Sequence, residues 1–172
     1  MNLTVHEILV SQFSRSLEAL KSVLQKGHAY ADHKKIDFTV LLQTRLVPDQ
    51  FPLSRQIQIA SDSAKMAAAK LAGITPPVFE DKEQTYDEFV ARIDKTIAFL
   101  RTIKPEQFSD FEKRTITFSF RPGGHFEGRA YLVQHAIPNF YFHMRTAYDI
   151  LRASGVEIGK ADYLGNQDWK VD

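Results

Sequence analysis

The chain has 172 residues, 44% hydrophobic and 25% charged, with a net charge of +1 and no cysteine. That is the size of one domain, with ample apolar material for a single core over residues 1–172. The lack of Cys excludes disulfides, thiolate metal ligands and a cysteine nucleophile, and scattered Lys and Arg give no footprint for nucleic acid. No stretch approaches the roughly 18 apolar residues of a membrane span. The start, MNLTVHEILVSQFSRSL, lacks the basic region and cleavage site of a secretory signal, so a cytoplasmic location is expected.

In chain order, Thr4 and Glu7 make a capping box, with Leu3 and Ile8 placed for a hydrophobic staple. Val5, Ile8, Leu9, Phe13, Leu17, Leu20 and Leu24 then recur at three- and four-residue spacing, the pattern of a helix with one buried face that Gly27 would stop. His28 and His33 would follow in a solvated connection. A short helix is expected from Asp37 as N-cap to Pro48, and then a long one marked by Ile57, Ala60, Ala64, Ala67, Ala68 and Leu71 and ended by Gly73. The turn-rich ITPPVFEDKEQ reads as a surface crossover. Thr85 and Glu88 open a further helix whose apolar face is Tyr86, Phe89, Val90, Ile93, Ile97 and Leu100. The period then shifts to two: Ile116, Phe118 and Phe120 alternate with polar residues, RPGGH is a turn, and FEGRAYLV is the expected return strand. Pro138 suits a first helical turn, so the last helix is expected to start there and run to Gly155, leaving His135 just outside. Four amphipathic helices, a long connection and a small β-hairpin before the last helix describe a mainly α four-helix bundle. Tyr163, Leu164 and Trp169 predict that the tail packs over the bundle or on a second copy, which motivates a homodimer.

The polar residues of chemical interest lie in HAIPNFYFHMRTAYDILR and SRQIQIASDSAK. Residues four apart share a helix face, so Asn139 and His143 can point into one cavity. Two imidazoles at that spacing would hold a divalent metal; an amide in place of one is a weak donor for Zn or Ni. Gln58 and Asp62 share a face on the earlier helix, and either would reach His143 across the bundle. Asp62 beside His143 would be an acid–base dyad or a structural ion pair. Neither a Gly-rich phosphate loop in a βαβ unit nor a hydrolase or zincin motif occurs.

The blocks LVPDQFPLSRQIQIASDSAK, LAGITPP and PNFYFHMRTAYDILRASGVEIGKADYLG resemble the domain of unknown function 1993 family, within the DinB/YfiT-like superfamily, over nearly the whole chain. The resemblance implies a DinB-like four-helix bundle with a long crossover, commonly a homodimer. It also implies, for many relatives, a metal held by one His of the second helix and two of the fourth; some relatives are thiol-dependent transferases or isomerases. Here the fourth-helix pair falls on Asn139 and His143, and the second-helix position falls near Gln58, with Gln56 as the alternative register. Two of three ligands are thus amides. Two functions remain open: a small-molecule enzyme with a degenerate metal site (His143, Asn139, Gln58, with Asp62 as a catalytic partner), or a non-catalytic dimeric binding or scaffold protein holding a buried polar network.

Overall fold

The computed structural model describes residues 3–170. A π-helical turn, Glu7–Gln12, leads into α1, Phe13–Lys34; α2 is Phe38–Gln43, α3 Leu53–Ala72 and α4 Tyr86–Thr102. Two 3-10 turns precede the strands β1, Thr115–Thr117, and β2, His125–Glu127; then come α5, Gly128–Tyr131, a π-turn at Leu132–Ala136, α6, Ile137–Ala153, and α7, Lys160–Leu164. The four long helices α1, α3, α4 and α6 form the bundle. Helix α3 packs on α6 and α4, and α1 packs on α4 and α6, closing a four-sided core.

The caps explain most boundaries. The Glu7 amide donates to Thr4 Oγ1 at 3.1 Å while the Thr4 amide donates to the Glu7 carboxylate at 2.7 Å, and the same reciprocal box closes on Thr85 and Glu88. Leu3 is exposed, so the expected staple is not buried, whereas Ile8 packs against the core. Asp37 accepts from the Thr39 amide at 2.8 Å, but α2 ends at Gln43, short of Pro48. Gly73, in the left-handed region at φ 71°, ends α3. Ala60, Ala64, Ala67 and Ala68 are fully buried, so the small face of α3 is a packing face.

Three further boundaries differ from expectation. Gly27 does not stop α1, because it lies where the α6 residue Leu151 comes closest: a Cβ there would sit 3.0 Å from Leu151 Cδ2. The helix ends instead at Lys35, in the left-handed conformation, and His28 and His33 fall within it. The return strand stops at Glu127 and only Ile116↔Phe126 flanked by one pair on each side is laddered. Gly128 turns the chain into α5 against the backbone of Phe111, whose carbonyl oxygen would lie 1.7 Å from any Cβ at that position. Finally, the last helix does not begin at Pro138. It is continuous from Gly128 to Ala153, and His135 is inside it. A proline ring collides with the carbonyl four residues back in a regular helix; the π-turn at Leu132–Ala136 re-pairs that stretch and lets the helix run through.

A single apolar cluster joins all four long helices, with Phe13 of α1 stacked on Phe140 of α6 at 4.0 Å between ring centroids. Among the described residues, no helix is long and apolar enough to cross a membrane. In the tail, Tyr163 packs edge-on against Tyr148, while Leu164 and Trp169 stay exposed.

Candidate functional site

The polar residues distribute over two faces of α3. Residues two apart in a helix point about 200° apart, so Gln56 and Gln58 cannot serve the same neighbour. Gln56 turns to α6 and Gln58 to the end of the crossover that leads into α4. His143 Nδ1 lies 2.7 Å from Gln56 Oε1, and Gln56 Nε2 donates to the Phe51 carbonyl at 2.9 Å. Because that carbonyl can only accept, the amide presents its oxygen to His143, and Nδ1 carries the proton. His143 Nε2 therefore holds the lone pair, with no hydrogen-bond partner among the described residues. Burial, followed by the charge of Arg55, pushes the His143 pKa down to about 4, so the ring is neutral near pH 7.

Asn139, one turn earlier on α6, donates from Nδ2 to Ser63 Oγ at 2.7 Å. Gln56 and Ser63 are seven residues apart on α3, about 10 Å along its axis, so Asn139 and His143 are drawn to separate partners. Gln58 donates to Glu83 Oε2 at 2.9 Å and accepts from Arg55 at 3.0 Å. Asp62 faces α4. Its Oδ1 lies 2.8 Å from Lys65 Nζ and 3.0 Å from Arg92 NH2, within ion-pair reach although off line for a hydrogen bond. The expected contacts of Gln58 or Asp62 with His143 are thus not made, since Glu83 and Arg55 hold Gln58 and Lys65 and Arg92 hold Asp62. No dyad of Asp62 and His143 forms.

What Asp62 joins is an ion network with no counterpart in the sequence reading. Arg92 of α4, with a side chain 1% exposed, also meets Asp81 at 3.0 Å and Glu83 at 2.7 Å, both from the crossover. Arg55 pairs with Asp81. Arg55, Lys65 and Arg92 are balanced by Asp62, Asp81 and Glu83, and Phe79 lies under two of the cations, 3.9 Å from Lys65 Nζ and 5.4 Å from the Arg92 guanidinium. Arg55 and Arg92 outweigh burial at Asp81 and lower its pKa. The crossover is therefore clamped to the bundle by charge. One sign of Arg92 was available: it sits three residues after Phe89 and one before Ile93, at a core position of an otherwise apolar face.

Beyond Asn139, the seam between α3 and α6 opens under the hairpin into a cleft of about 380 Å³. Its polar lining includes Asp62, Ser63, Lys70, Tyr131, His135 and Asn139, and its apolar walls include Ile59, Met66, Phe118 and Phe120. His135 reaches it because of the π-turn, stacked on Tyr131 with centroids 5.6 Å apart.

The family described as domain of unknown function (DUF1993) matches residues 5–164. The chain belongs to the DUF1993 family. A crystal structure of a DinB family member protein from Shewanella denitrificans shares the fold of this DUF1993 chain with a TM-score of 0.94. The sequences are 40% identical, over 98% of this chain and 96% of that one. No match is found among curated proteins. The metal implied for many DinB-like proteins needs several strong donors around one point. This DUF1993 chain offers one imidazole, and its amides at the other positions are engaged elsewhere. Among the described residues no group of three His, Cys, Asp or Glu is placed to hold a metal ion. The residues present do not fit the metal.

Proposed function

We propose that this chain is a non-catalytic small-molecule-binding bundle that works as a homodimer, in which the positions of a DinB-type metal site have become supports of the fold. The dispersal of Gln58, Asn139 and His143 onto Glu83, Ser63 and Gln56 carries this reading, because ligands must converge and these diverge. The α3–α6 cleft beside them supplies a binding volume in the usual range for small molecules. The competing reading, a degenerate metalloenzyme, draws on one feature: the neutral Nε2 lone pair of His143, which suits a base or a single ligand.

Calorimetric titration of Zn and Ni into untagged protein separates the two. Wild type and His143→Ala should give the same weak heats, with no stoichiometric site at micromolar metal. A one-to-one site in wild type that His143→Ala removes would end the non-catalytic reading.

The dimer is supported by apolar surface beside the same pair. Phe51 is 55% exposed and Phe142 54%; the first gives its carbonyl to Gln56 and the second meets the His143 ring edge-on at 5.1 Å. Sedimentation velocity at micromolar protein should show a dimer that Phe142→Asp converts to monomer. A monomeric wild type would remove the dimer from the proposal.

A further inference from the structure

Tyr131 presents a hydroxyl that no group among the described residues answers. The residue is 3% exposed, yet its hydroxyl has no hydrogen-bond partner among them. The hydroxyl is also absent from the sealed unpaired atoms of the core, so it meets open space, and Tyr131 lines the cleft. Water in the cleft can reach this donor, and a ligand acceptor would take that water's place. Burial holds this phenol as a donor, with its pKa pushed up to about 12.

The surroundings state what such a ligand must be. His135, stacked against Tyr131, lies among Phe118 and Phe126 at 5.0 and 6.0 Å, and burial lowers its pKa, keeping the ring neutral. Of the two charges at the cleft, Asp62 is paired with cations and Lys70 is held by a carbonyl and an aromatic face. Lys70 Nζ donates to the Thr117 carbonyl at 3.0 Å and lies 5.1 Å over the Phe118 ring, and Asp62 is held between Lys65 and Arg92. A cation would find no free carboxylate, an anion would find Lys70 alone, and either would lose hydration against the aromatic wall. At the mouth, Phe120 is 75% exposed and touches the Phe118 ring at 4.9 Å. A flat apolar molecule lying against it and Met66 would cover both.

We propose that the α3–α6–hairpin cleft binds an uncharged aromatic compound carrying a hydrogen-bond acceptor such as a carbonyl, with Tyr131 as its donor and Phe120 as the closing wall. This names the ligand class of the binding function proposed above and rests on it.

Saturation-transfer NMR with acetophenone, benzoate and benzylamine as probes tests it. Acetophenone should bind saturably at millimolar concentration, and the two charged probes more weakly. Tyr131→Phe should weaken acetophenone roughly tenfold, and Phe120→Ala, a surface change that leaves the core intact, should weaken it too. Unchanged melting temperature certifies the fold of each variant. Absence of saturable acetophenone binding, equal binding by both variants, or preference for a charged probe would each overturn the site. Those results would leave the metal titration standing, whereas a stoichiometric zinc site at His143 would end the non-catalytic reading without touching this cleft.

Discussion

Arg92→Ala should lower the unfolding free energy by roughly 3–5 kcal/mol, the range for removing one partner from a buried ion pair, read from urea titration. The loss comes from both sides of the network. The guanidinium vanishes from a site 1% exposed, and Asp62, Asp81 and Glu83 are left close together with only Lys65 and Arg55 opposing them. Arg92→Lys should recover only part of this, since one ammonium cannot span three carboxylates as a planar fork does. Replacing Arg92 by Met together with Asp81→Asn and Glu83→Gln should be much milder than Arg92→Ala, because it removes the unpaired charges along with the cation. Equal loss from both designs would mean that Arg92 acts through packing volume instead.

The second large effect is a pH dependence owed to His143. Its folded pKa is about 4 and its unfolded value about 6.5, so between those values the unfolded chain binds a proton that the folded chain refuses. Stability is therefore fully present above pH 6.5 and falls as pH drops toward 4. A shift of that size corresponds to about 3 kcal/mol. Other groups titrate in the same interval, so the comparison is with His143→Gln, which keeps a side chain that can donate to Gln56. Wild type should lose about 3 kcal/mol more than the variant between pH 7 and 4. Parallel curves would place the His143 pKa near its ordinary value and contradict its burial as a neutral ring.

The helices were legible because their signals are local. Two capping boxes, the Gly73 stop and the apolar spacing each involve residues within a turn or two of one another. The errors fell where a distant group decides the outcome. Gly27 reads as a stop until Leu151 of α6 is laid against it, and Gly128 reads as part of a strand until the Phe111 carbonyl is. Pro138 reads as a start because the π-turn that accommodates it leaves no mark in composition. The contacts of the site residues were hidden for the same reason. Gln56, Gln58, Asp62, Asn139 and His143 were all visible as polar residues at helical spacing, but which face of α3 turns to α6 and which to α4 is set by the packing of three helices. Of the two registers open from sequence, Gln56 and not Gln58 is the partner of His143. The crossover carboxylates Asp81 and Glu83 had no periodic signal at all; only the apolar register of α4 betrayed Arg92.

If His143 and Gln56 form a structural pair, the His143 ring itself should report it. Long-range proton–nitrogen NMR of labelled protein should show His143 as a neutral ring with the proton on Nδ1 from pH 7 down to about pH 5, unchanged by equimolar zinc. A ring that is protonated near pH 6.5, or a His143 Nε2 signal that shifts stoichiometrically on adding zinc, would contradict it.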